Sequence, residues 1–232
     1  MSKELRIALV AEGPTDFEVI QAALKAVLAD PFILIQLQPE STQPKLGNGW
    51  GGVLKWCYET RQRHSGPLHD DPTLASFDML IIHADVDVAL ENYSRCGTTV
   101  EAWAKDHDWG SLPCNQPCPP VFETAESLAS VITSWLGQVE LGDRTLFCLP
   151  AQSSGTWLAA AVLNPTHKLL VNAECDPTVE SQLAQLPKPQ RIKKTLREYR
   201  THAPTITAQW KQVKQICSQA EQFEHLVLTI IN

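Results

Sequence analysis

The chain has 232 residues, 44% hydrophobic and 19% charged, with 19 Lys and Arg against 26 Asp and Glu for a formal net charge of −7. That length and apolar content describe a globular chain able to bury a sizeable core, and they exclude disorder, coiled coil and collagen. No apolar run approaches the ~20 residues that span a bilayer, and the stretch before Glu12 is too short for a secretory signal. The expectation is a cytoplasmic protein without membrane contact.

Seven cysteines cannot all pair, and their spacing is irregular. Cys114 and Cys118 are close, in CNQPC, but a zinc site needs a second pair. They read as incidental thiols in a proline-flanked turn.

In chain order, Leu5–Ala11 is a nearly continuous apolar run, the pattern of a strand buried on both faces. A helix follows, with Thr15 as N-cap and Glu18 as its capping-box partner. Phe17, Ile20, Leu24, Val27 and Leu28 form its apolar face. Phe32–Leu37 is a second strand, after Asp30-Pro31 stops the helix. The turn GNGWGG precedes a helix over Val53–His64, and Phe77–Ala84 is a third buried strand. A long loop with prolines and cysteines, about 92–122, leads to a helix buried through Leu128, Val131, Ile132, Trp135 and Leu136 and ended at Gly137. Arg144–Leu149 is a fourth strand and Thr156–Leu163 a short helix. The last fifty residues read as helix, with one stripe through Ile206, Trp210, Val213, Cys217, Ala220, Phe223 and Val227. Strands alternating with helices imply an α/β fold with a parallel four-stranded sheet covered on both faces. We expect an α/β unit over residues 1–150 and a helical, partly basic extension over 151–232 packed on the same domain.

Charge is unevenly spread. Lys188, Arg191, Lys193, Lys194, Arg197, Arg200, Lys211 and Lys214 face one acid, Glu198, giving a segment of +7 in a body of −14. Either a solvated helix face or a phosphate-binding patch produces such a run.

Ligands of parallel sheets sit beyond the carboxyl ends of the strands, and two acidic clusters fall there. The first is Glu12-Gly13-Pro14-Thr15-Asp16 after strand one. The second is Asp85-Val86-Asp87 after strand three, where residues two apart in extended chain point the same way. Glu12, Asp16, Asp85 and Asp87 at one rim would repel one another without a cation between them. Oxygen ligation suits Mg²⁺ or Mn²⁺, and four carboxylates leave open a second ion that stabilises a leaving oxygen. Asp16 also has a plain reading as a favourable helix N-terminal charge, and His83 reads as a satisfied core histidine. Ser153, Ser154 and Gly155 read first as an ordinary helix cap, and second as a phosphate-facing turn.

A strand ending in hydrophobic-Glu-Gly, then a helix, then a strand ending in Asp-x-Asp is similar to the Toprim domain. AEGPTDFEVI together with GNGWGGVLKW resembles small stand-alone Toprim-like bacterial proteins found near mobile elements and defence genes, related to the overcoming-lysogenization-defect nucleases. The resemblance covers about residues 5–150. It implies a Toprim-like, Rossmann-like sheet, with Glu12 as metal ligand or acid–base group, Asp85 and Asp87 as the magnesium pair, and Asp16 as the second acid of the nuclease branch. The chain departs from the pattern in DVDVALEN, where a glycine often follows Asp-x-Asp, and it shows neither a topoisomerase gate nor a primase zinc domain.

The expected function is therefore metal-dependent hydrolysis of nucleic-acid phosphodiester bonds, DNA or RNA. Glu12, Asp85, Asp87 and Lys194 would serve catalysis. Lys188, Arg191, Lys193, Lys194, Arg197 and Arg200 would hold the polyanion. So acidic a body also invites an activating protein partner or self-association. The alternatives are a Toprim-fold binding module without chemistry, then a phosphatase reading of DVDVA, which leaves Glu12 unexplained. A nucleotide-sugar transferase using Asp-x-Asp comes last.

Overall fold

The computed structural model describes residues 4–40 and 45–231. Four strands, β1 (Leu5–Val10), β2 (Phe32–Gln38), β4 (Met79–His83) and β6 (Thr145–Cys148), form an all-parallel sheet in the order β2-β1-β4-β6. A two-residue ladder of β3 (Gly66–Pro67) and β5 (Val139–Glu140) lies apart from it. The fold is α/β and Rossmann-like, with a helical C-terminal part.

The period of two along each strand sorts side chains to two faces. Ile7, Leu9, Met79 and Ile81 join one core, against α1 (Pro14–Val27), α5 (Ser154–Val162) and the C-terminal helices α7 (Leu196–Ala208), α8 (Trp210–Ile216) and α9 (Ser218–Ile231). Ala8, Val10, Leu80 and Ile82 join the other, against α2 (Trp50–Arg63), α3 (Thr98–Asp106) and α4 (Phe122–Leu136). Because both faces are covered, the inner stretches Ile7–Val10 of β1 and Met79–Ile82 of β4 are continuously apolar. The short helix α6 (Val179–Leu183) packs beside α5. Among the described residues, no helix is long and apolar enough to cross a membrane.

Several sequence expectations are corrected. Helix α1 starts with Gly13 as N-cap and Pro14 in its first turn, and no side chain caps it. Glu18 is not a capping-box partner. Its Oε1 accepts from Arg200 Nε at 2.9 Å and pairs with Nη2 at 2.8 Å, because a buried carboxylate needs a cation more than the helix end needs a cap. The expected loop at 92–122 contains α3, whose buried residues, Val100 and Ala104, make too sparse a stripe to read from sequence. The C-terminal stripe is buried as expected, but its backbone leaves helical geometry at Gln209 and Cys217, so it divides into three helices.

Cys118 is not an incidental thiol: it forms a disulfide with Cys175, 57 residues away, and the other five cysteines are free. The bond ties the loop before α4 to the segment leading into α6. Closing so long a loop constrains the unfolded chain, typically worth about 2–4 kcal/mol. Reducing the bond should lower the thermal midpoint by roughly 4–16 °C for a domain of this size. An unchanged midpoint, with reduction verified by mass, would show that the tether adds nothing to stability.

Candidate metal centre

The chain leaves β1 for β2 on one side and crosses back to β4 on the other, so the crevice between β1 and β4 is the switch point of the sheet. Three chain segments converge on that rim. After β1 come Glu12 and Asp16, the latter in the first turn of α1. His83 is the last residue of β4, and Asp85 follows. After β6 come Ser153 and Ser154, at the start of α5.

Asp16, His83 and Asp85 each present a donor atom within 4.8 Å of the others, and all three are buried. A hydrogen-bonded frame holds them. Ser154 donates its backbone N–H to Asp85 Oδ1 at 2.9 Å and its hydroxyl to Asp16 Oδ1 at 2.6 Å. The backbone N–H of Asp85 donates to Glu12 Oε1 at 2.8 Å. Thus the positive end of α5 is taken by the chain's own carboxylate and is not left open to a phosphate. Ser153 makes no side-chain cap, so the ordinary-cap reading of this turn is corrected too.

His83 is fully buried, yet neither ring nitrogen has a hydrogen-bond partner. Its Nε2 lies 3.3 Å from Asp85 Oδ1, an ion-pair contact only. The expectation of a satisfied core histidine is corrected: its Nδ1 has no partner. Its signal was present but faint: an imidazole ending a strand two residues before an Asp.

Asp87 does not share Asp85's direction. Asp85 is the last extended residue, and Asp87 lies in the following 3₁₀ turn, where its side chain is exposed at the rim. Leaving the strand geometry cancels the period-two argument.

The electrostatics follow from the crowding. Burial, then the charges of Asp85 and Asp16, hold the Glu12 carboxyl well above the usual range. Burial and Asp16 raise Asp85, partly offset by His83 and Lys194. Although solvent reaches Asp87, the protein crowded around its carboxyl, with the Asp85 charge, pushes it up to about 7. Burial opposes the charged form of His83, but Asp16 and Asp85 outweigh it and raise its pKa. Burial and mutual repulsion thus raise Glu12, Asp85 and Asp87 together at this rim.

Of the expected polyanion contacts, Lys188, Arg191, Lys193, Lys194 and Arg197 are exposed, the first four in the coil before α7. Arg200 is exposed but committed to Glu18. Lys194 alone is brought to the acidic rim. Its ammonium pairs with Glu180 at 2.8 Å, and its charge acts on Asp85, Asp87 and His83. Glu180, absent from the sequence reading, lies in α6 and also accepts from the Tyr199 hydroxyl.

The donor set of two carboxylates and an imidazole suits a divalent cation. A buried histidine whose Nδ1 has no partner and whose Nε2 meets only the Asp85 carboxylate is the observation that fits the residues to one. Carboxylates favour Mg²⁺ and Mn²⁺, and the imidazole shifts the balance toward Mn²⁺. Comparison of the chain with protein-family models, with curated proteins and with solved structures finds no match.

Proposed function

We propose that the chain is a divalent-metal-dependent hydrolase of nucleic-acid phosphodiester bonds, acting on DNA or RNA. The observation that carries the reading is the buried Asp16–His83–Asp85 group at the sheet's switch point, with Lys194 beside it. The Toprim-like order of Glu12 before Asp85-x-Asp87 supports the same reading.

Asp16, Asp85 and His83 would hold Mg²⁺ or Mn²⁺. Bound there, the ion would supply Lewis-acid polarisation of a phosphoryl oxygen and a water of lowered pKa. Glu12 fixes the loop after β4 through its bond to the Asp85 N–H. Burial and the neighbouring carboxylates raise its proton affinity, which suits it to proton transfer at the site. Asp87, at about 7, is placed at the mouth for the same task. Lys194 offers a fixed positive charge to a phosphate at the rim. Lys188, Arg191, Lys193 and Arg197 present exposed cations for the backbone beyond it.

The burial of all three donors favours a second reading, in which a bound cation braces a nucleic-acid or protein-binding module and no bond is cut. Single-stranded and duplex DNA and RNA, incubated with the protein and Mn²⁺ or Mg²⁺, separate the two. The nuclease reading expects fragments that disappear with chelator. Intact substrates of every form, with saturable Mn²⁺ binding, would leave the binding module.

A further inference from the structure

Among the described residues, Asp16, His83 and Asp85 are the one group of three close metal donors. The carboxylate next to it, Glu180, is already occupied. One oxygen accepts from the Tyr199 hydroxyl and the other pairs with Lys194 Nζ. Tyr199 is itself buried, so Glu180 is fixed from beneath.

Glu180 also lies on the first turn of α5. A Cβ at Gly155 would stand 2.5 Å from its Oε1, so glycine is what permits the approach. The preceding residue, Ser154, is the one that binds both Asp16 and Asp85. The Glu180–Lys194 pair therefore abuts the donor group.

The backbone carrying Lys194 is equally tied. Ile192 is buried and donates its N–H to the Leu183 carbonyl, and Lys193 donates its N–H to Glu198. This lysine does not sweep solvent as an unanchored one would. Burial of part of its stem works against its charge, but Glu180 and then Asp85 and Asp16 raise its proton affinity, so it stays an ammonium at neutral pH.

We propose that the site is built for a single divalent cation, and that the Lys194 ammonium, fixed by Glu180, stands in place of a second cation facing the phosphate. The proposal rests on the hydrolase reading above and decides its metal stoichiometry. Two-metal sites use paired cations about 3.5–4 Å apart. Here Glu180 is committed to Lys194 and Tyr199, Glu12 accepts from the Asp85 N–H, and Asp87 stands outside the group of close donors.

The test is Mn²⁺ titration of the full chain at pH 8, followed by electron paramagnetic resonance, which counts bound ions and shows exchange coupling between close pairs. The expected result is one Mn²⁺ per chain and no coupled signal, for wild type and for Lys194→Arg. Lys194→Met should admit a second ion at least tenfold more tightly than wild type does, with a coupled signal. Two coupled ions in the wild type would overturn the proposal and leave the hydrolase reading standing. A Lys194→Met protein that is folded by circular dichroism and still binds one ion would also overturn it. No Mn²⁺ bound by the wild type would overturn the metal reading itself.

Discussion

Asp85→Asn should lower Mn²⁺-supported cleavage at least ~10³-fold, about 4 kcal/mol of barrier, while leaving the fold intact. Asp85 is one of three donors in the buried group, and its Oδ1 also takes the Ser154 N–H. Asparagine keeps an oxygen for that bond and removes only the charge. The apoprotein should not lose stability, because the substitution deletes one of several mutually repelling carboxylates held above their usual range by burial and by one another. Rates on a cleaved substrate, with thermal midpoints for both proteins, check the two halves together. Cleavage within tenfold of wild type would remove Asp85 from the reaction. A large fall in midpoint would show that the carboxylate is structural.

The second large effect is a stability that depends jointly on pH and cation. Glu12, Asp85 and Asp87 bind protons more tightly in the folded chain than in the unfolded one. Folding therefore takes up protons, and stability is fullest below the ordinary carboxyl range. It is lost as pH rises through the folded values, about 7 for Asp87. The raised pKa of His83 acts in the same direction, its contribution being present while it is protonated and lost as pH climbs. A divalent cation needs the deprotonated forms, so its benefit appears as the apoprotein weakens. With Mn²⁺ at a thousandfold its dissociation constant, the gain at pH 8 is about 4 kcal/mol. That corresponds to roughly 8–16 °C in thermal midpoint. At pH 5 the same Mn²⁺ concentration should give only a small fraction of that shift. Scanning calorimetry at the two pH values, with and without Mn²⁺, measures both terms. Equal shifts at pH 5 and pH 8 would mean that the cation binds groups other than these.

What the chain reveals before folding is governed by range. The strands of the sheet are legible because burial on both faces forces runs of apolar side chains, as in Ile7–Val10 and Met79–Ile82. Glu12 and Asp85 are legible for the complementary reason: a carboxylate ending such a strand is costly without a partner. What fails to show depends on distant contacts. Glu18 fits a capping box in its own neighbourhood, and nothing within ten residues points to Arg200, 182 positions on. The Cys118–Cys175 bond and the pairing of Lys194 with Glu180 are likewise set by tertiary approach.

His83 shows where local reasoning is least able to choose. A histidine in an apolar strand looks the same from sequence whether its nitrogens are satisfied or orphaned. Only the placement of Asp16 and Ser154 from other elements tells the two apart. Asp87 differs in the opposite sense: extended backbone stops at Asp85, so the direction shared by residues two apart does not carry to it.

The central claim is that Asp16, His83 and Asp85 form the seat of a divalent cation. Diffraction at the manganese absorption edge, from crystals of the protein grown at pH 8 with Mn²⁺, tests it most directly. The account predicts one anomalous peak within coordination distance of a carboxylate oxygen of Asp16, a carboxylate oxygen of Asp85 and a ring nitrogen of His83. It also predicts that this peak is missing from Asp85→Asn crystals grown the same way. No peak at that rim in the wild type, or a peak that persists in the variant, would contradict it.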